Sequence, residues 1–106
     1  MTLALKALAE MTGTFAIIFV GGSSILLSEK FPGQFPAAGV AITFGSIVAL
    51  MILALGVRSG AHFNPAVTLA FAIAHGFPAA QIILYWSSQL AGGLLAACLL
   101  LFLKRL

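Results

Sequence analysis

From Ala37 to Val57 the chain carries no charged side chain, and that single run restricts the fold more than any other feature. A helix of such a length rises about 30 Å, the thickness of a bilayer's hydrocarbon core. Two further runs are comparable: about Leu8 to Leu27, broken by charge only at Glu10, and about Ala79 to Leu103. The polar cluster Ser28-Glu29-Lys30 followed by Pro32, Gly33 and Pro36 spells a surface turn between the first two. Arg58 closes the second run, and Lys104 and Arg105 follow the third. With 62% of residues hydrophobic and 7% charged, the chain lies outside the mix of soluble domains. The expectation is an all-α, multi-pass protein of the cell membrane. Its three transmembrane helices fall at about 8–27, 37–57 and 79–103 in one unit, 1–106, surrounded by lipid.

The remaining chemistry excludes several classes. Five Lys or Arg face two Asp or Glu, scattered too thinly to form the basic stripe a nucleic acid requires. Cys98 is the single cysteine, so there is no intrachain disulfide and no metal-ligand spacing. No nucleophile–base pair, paired carboxylates or cofactor motif is present, so no enzymatic activity, metal or cofactor is expected. Lys6 precedes an apolar stretch as in a signal peptide, but Glu10 interrupts the would-be hydrophobic region and the run continues too far, so cleavage is not expected. Small residues recur every fourth position at Ala9 and Gly13, at Ala41, Gly45 and Ala49, and at Ser88, Gly92 and Ala96. In lipid such seams let helices approach closely, so ordinary helix packing is expected along all three.

Between the second and third spans lies a different kind of segment, about 58–75. Asn64 before Pro65 writes a helix start: the Asn side chain caps free backbone donors, and Pro takes the first helical position, where its missing N–H costs nothing. The apolar run from Pro65 to Ala74 makes a helix of only about 15 Å, half the hydrocarbon thickness. Irregular backbone at membrane depth is tolerated where protein buries it or where it lines a watery cavity. A re-entrant loop and half-helix follow from these constraints. The positive end of that helix then lies near the midplane and disfavours cations. The Asn64 carboxamide offers donors and the carbonyls from Gly60 to Phe63 offer acceptors, together a narrow uncharged track.

The stretch SGAHFNPAVT, Ser59 to Thr68, resembles the first signature loop of the major intrinsic protein family, the aquaporins and glycerol facilitators. AEMTGTFAIIFVGGSS resembles the family's first helix, GVAITFGS its second, and Gln89-Leu90-Ala91-Gly92 its third. The resemblance covers essentially the whole chain and implies half of an aquaporin-like right-handed bundle. By resemblance, Asn64, with Pro65 and Ala66, donates to water at the pore centre, and the Gly60-Ala61-His62-Phe63 loop lines a vestibule. Phe44 matches an aromatic wall of the outer constriction, Glu10 a carboxylate that holds a re-entrant loop, and Gln89 a supporting position. Read without the family, Phe44 is an ordinary lipid-facing or core aromatic, Glu10 could sit at the interface near a helix end, His62 is a structural hydrogen-bonding residue, and Arg58 and His75 rest at headgroup level.

The family's pore takes two inverted repeats, each giving one half-helix, and this sequence holds one. A homo-oligomer of antiparallel copies or a complementary second-half chain is therefore expected, to conduct water or a small neutral solute. Phe44 leans toward water, since glycerol-passing relatives more often carry Trp there. Two other readings stay open: a proton-coupled small carrier using Glu10, and a non-conducting truncated fragment. If the N-terminus is cytoplasmic, Lys6 and Arg58 lie inside and Lys30, Lys104 and Arg105 outside, against the usual positive-inside bias. Orientation is thus weakly specified.

Overall fold

A computed structural model describes all 106 residues, Met1–Leu106. The chain is entirely helical, with α1 Leu3–Lys30, α2 Ala37–Ser59, α3 Pro65–His75 and α4 Ala79–Lys104. Their ends are written locally. Thr2 Oγ1 accepts from Leu5 N–H at 3.2 Å and starts α1, which places Glu10 two turns inside the helix rather than near its end. Pro36 and Pro78 precede α2 and α4, and Gly60 and Gly76, at φ 88° and 71°, close α2 and α3 in the left-handed conformation that suits glycine. Ser28 Oγ donates to Phe35 C=O at 2.8 Å and pins the turn between α1 and α2.

α1 is the hub. It packs against α2 on one side and α4 on the other, and α3 packs only on α4; α2 reaches α4 at its last residue, where Tyr85 bonds the Ser59 carbonyl. Glu10 meets Gln89, Met11 lies against Gly92 and Gly22 against Leu100, so α1 and α4 run parallel. Phe44 covers Gly21 and Ser59 reaches Glu10, so α2 runs antiparallel to α1. Lys30 and Lys104 therefore share one end of the bundle.

The same pairings fix the depth of α3. The Phe63 ring occupies the space a Cβ at Gly13 would need, about 15 Å along α1 from Leu3 and about 25 Å from Lys30. Eleven residues of α3 span about 16 Å. Ala79 then begins α4 some ten residues, about 15 Å, before the level of Gln89 and Glu10. The chain after α2 thus turns inward, starts α3 at depth, and returns to the end it left.

Fifteen of 106 residues are buried, which leaves the outer surface to large apolar side chains such as Leu53, Val57 and Ile73, 80%, 92% and 79% exposed. A surface of that kind suits hydrocarbon and not water. Of the three small-residue seams, Ala9 and Gly13 on α1 are buried, with the Phe63 ring over Gly13, and Gly92 and Ala96 on α4 are buried, with Gly92 against Met11 of α1. The α2 seam departs from expectation: Ala41, Gly45 and Ala49 are all exposed, and a Cβ at Gly45 would meet nothing. The α1–α2 contact uses the opposite geometry, a bulky Phe44 ring set over the bare backbone of Gly21, and that turns the small face outward.

Candidate functional site

The loop Ser59–Asn64 has to give up regular backbone hydrogen bonding at depth, and its conformation is unusual. Gly60, Ala61 and Phe63 have φ of 88°, 56° and 55°; for the two non-glycine residues this costs on the order of 1 kcal/mol or more each. None of the carbonyls of Gly60, Ala61, His62 and Phe63 accepts a hydrogen bond from the protein. Glu10 holds the loop in this shape. Its Oε2 accepts from the Ser59 hydroxyl at 2.6 Å and His62 N–H at 3.1 Å, and its Oε1 from Phe63 N–H at 2.8 Å and Gln89 Nε2 at 2.7 Å. A fully buried carboxylate has to satisfy its lone pairs locally, and here four donors do so.

A second tier fixes the donors. Gln89 Nε2 also donates to Thr68 Oγ1 at 2.9 Å, and Thr68 Oγ1 lies 2.9 Å from His62 Nδ1. Thr68 Oγ1 thereby joins Gln89 to the imidazole, with the direction of its bond to His62 Nδ1 set by the tautomer of the ring. The imidazole stacks on Phe71, centroids 4.7 Å apart and planes 7° from parallel, with Phe77 and Tyr85 at 5.4 and 5.0 Å. Tyr85 donates to Ser59 C=O at 2.7 Å, and Trp86 Nε1 donates to Pro65 C=O at 3.0 Å. α4 thereby clamps both the entry of the loop and the first turn of α3.

At that first turn Asn64 Oδ1 caps the helix by accepting from Ala66 N–H at 2.8 Å. The Nδ2 donors of Asn64 have no protein partner, and Asn64, Pro65 and Ala66 are exposed on the open side that α2 leaves uncovered. Beside them is a cavity of about 340 Å³ lined by Thr14, Ile18, Phe63, Asn64, Gln89 and Leu94 among others. Two oxygens at this cavity, Thr14 Oγ1 and Gln89 Oε1, are buried without a hydrogen-bond partner.

The profile of the family described as Major intrinsic protein matches residues 1–105. The chain belongs to the major intrinsic protein family. Among its relatives, a probable aquaporin NIP4-2 of Arabidopsis thaliana and an aquaporin NIP1-1 of Oryza sativa subsp. japonica are each 46% identical over 92 residues, 87% of this chain and 32% of theirs. Nodulin-26 of Glycine max is 39% identical over 87% of this chain and 34% of its own. The chain spans about a third of the length of the relatives it matches. As a member of this family it is a multi-pass integral membrane protein, and three of its helices are long and apolar enough to cross a bilayer.

In this member of the major intrinsic protein family, the residues singled out from sequence separate into two places. Glu10, Gly60, Ala61, His62, Phe63, Asn64, Pro65, Ala66 and Gln89 gather around the start of α3. Phe44 does not join them. Its ring lies over Gly21, eight residues and so about 12 Å along α1 from the Phe63 contact at Gly13. His75 ends α3 with its ring 5.7 Å from Phe71, and Arg58 is exposed. Ser59, Thr68, Tyr85 and Trp86 had no assigned role in the sequence reading. The available signal was spacing: Tyr85 and Gln89 lie one turn apart on the third span, as do Asn64 and Thr68 at the start of the half-helix. Thr68→Val keeps the side-chain shape and removes the one oxygen that joins Gln89 to His62. It is expected to lower unfolding free energy by about 2–3 kcal/mol, measured as the shift of a sodium dodecyl sulfate titration in mixed micelles.

Proposed function

We propose that this chain supplies one half of a transmembrane pore for water or small neutral solutes, completed by a second half that is either an antiparallel copy of itself or a complementary chain. The observation that carries the reading is the start of α3. Free Asn64 Nδ2 donors and the unpaired carbonyls of Gly60–Phe63 form an uncharged donor-and-acceptor track at depth, on an open side of the bundle. Such a track replaces the hydrogen bonds a passing water gives up, while the positive end of α3 opposes cations. Gly60, Ala61, His62 and Phe63 are the vestibule side, with His62 in a structural role. Asn64, Pro65 and Ala66 form the centre, Glu10 and Gln89 the support, and Phe44 an aromatic wall further out.

The single half-repeat 1–106 leaves this track uncovered on one side. In this reading the second half packs against the cavity lined by Thr14, Asn64 and Gln89, beside which Asn64 is exposed. The names of the relatives as aquaporins favour water. Glu10 as the working group of a proton-coupled carrier is disfavoured by its four protein partners, all of which a transport cycle would have to break.

Osmotic swelling of proteoliposomes tests the proposal. The wild type is expected to raise water permeability above that of empty vesicles. Asn64→Asp retains a capping oxygen but loses both amide donors and adds a negative charge, and it should return permeability to the empty-vesicle level with helicity unchanged. Wild-type permeability equal to that of empty vesicles would remove the claim that this chain conducts by itself and favour a non-conducting fragment.

A further inference from the structure

We propose that Trp86 is the positioning residue for Asn64: its indole N–H, held on the Pro65 carbonyl, fixes the direction in which the start of α3 presents the Asn64 amide. For function this rests on the reading of Asn64 as the pore centre. The loop before Asn64 is held by Glu10 as far as the Phe63 N–H, and α3 is held again at Thr68 Oγ1 by Gln89. Between these two anchors lie Asn64, Pro65, Ala66 and Val67. Asn64 works within its own helix: Oδ1 accepts from Ala66 N–H, and the backbone carbonyl accepts from Thr68 N–H at 3.0 Å. One hydrogen bond joins these four residues to another helix, from Trp86 Nε1 to Pro65 C=O at 3.0 Å.

That bond sits where leverage is greatest. Phe63 has φ 55°, a left-handed conformation unfavourable for a residue with a Cβ, and relaxation of that dihedral swings every atom after it, those of Asn64 first. Side-chain packing offers little resistance, because Asn64, Pro65 and Ala66 are all exposed. Proline has no N–H, so its carbonyl is the one backbone group by which Pro65 can be held. The donor fits this task. Indole carries a single N–H and no acceptor, so the bond has one direction. Trp86 stands about 10 Å into α4 from Ala79 and shares a helix face with Ile83 and Leu90, both exposed. On so apolar a face an indole N–H needs an acceptor from the protein, and the first turn of α3 supplies it.

Trp86 is the only tryptophan in the chain, so expression in a tryptophan auxotroph fed benzothienylalanine exchanges one N–H for sulfur within the same ring outline. The full chain is placed in phosphatidylcholine nanodiscs and read by nitrogen NMR, with fluorotryptophan, which keeps the N–H, as the control. In the benzothienyl protein the Asn64 Nδ2 resonance is expected to shift. Exchange at the Thr68 amide, which bonds the Asn64 carbonyl, should speed up about fivefold, the weight of one hydrogen bond. The His62 and Phe63 amides, held by Glu10, should exchange as before, and the fluorotryptophan protein should match the wild type throughout. An unmoved Asn64 resonance would overturn the assignment, because Asn64 is then placed without Trp86. Equal acceleration at His62 and Phe63 would overturn it too, because the indole then only packs. Osmotic swelling is read separately. No flux in the wild type counts against the pore and leaves the NMR result to decide the placement of Asn64. Where the wild type conducts, the benzothienyl protein is expected to lose about fivefold in water permeability, and unchanged permeability would remove Trp86 from the pore's machinery.

Discussion

Glu10→Ala is expected to lower unfolding free energy by about 3–5 kcal/mol, among the largest effects available to a single substitution in this chain. The truncation removes no ion pair. It leaves four donors, the Ser59 hydroxyl, the amides of His62 and Phe63, and Gln89 Nε2, in a site that water cannot readily reach, and each orphaned donor carries its own desolvation cost. The positive-φ conformations of Ala61 and Phe63 lose what holds them, so the loop relaxes. Glu10→Gln should do little better. The amide retains one oxygen for one pair of donors, while its NH2 group confronts the other pair. Denaturant titration reads the stability change, and hydrogen exchange at His62 and Phe63 should accelerate in both variants while that of mid-α2 amides does not. Unchanged protection at those two amides would show that the loop does not depend on the carboxylate.

Gly92→Val is expected to cost about 3 kcal/mol, at the upper end for overpacking. The position of a Cβ at Gly92 falls on the carbonyl oxygen of Met11, with the Met11 carbonyl carbon and Cα within 3.2 Å. Backbone cannot rotate aside as a side chain can, so α1 and α4 have to separate. Gln89 sits about one turn from Gly92 and Glu10 next to Met11, and their hydrogen bond loosens with the helices. Gly22→Ala makes an instructive control. The atom it meets is Cδ1 of Leu100, the far end of a flexible side chain, and a rotamer change should limit the cost to less than about 1 kcal/mol. Comparable losses in the two variants would mean that the α1–α4 contact is soft and that Gly92 is not its limiting point.

Much of the fold was legible in the chain because lipid reduces the problem to length and charge. The bounds of α2, α3 and α4 lie within two residues of those read from apolar runs and from Pro36, Asn64-Pro65 and Pro78. These residues act on their own backbone and need no distant partner. α1 was less legible at its start, since Thr2 caps through a local bond that hydropathy does not register, and the shift of five residues changed the setting of Glu10. The outward face of Ala41, Gly45 and Ala49 was not legible either. A small-residue seam records that something can approach closely, and it does not say whether the partner lies within the same chain.

The sequence by itself therefore determined the class of protein, the three spans and the place where a half-helix begins. Each of those follows from the cost of burying charge or unpaired backbone in hydrocarbon, which is decided residue by residue. Only the tertiary structure decided how residues 10, 62, 63, 68 and 89 become one hydrogen-bonded unit. Hydrogen bonds act over about 3 Å, and the partners of Glu10 lie as many as 79 positions away. The parallel run of α1 and α4, with Gly92 seated against Met11, brings them within reach.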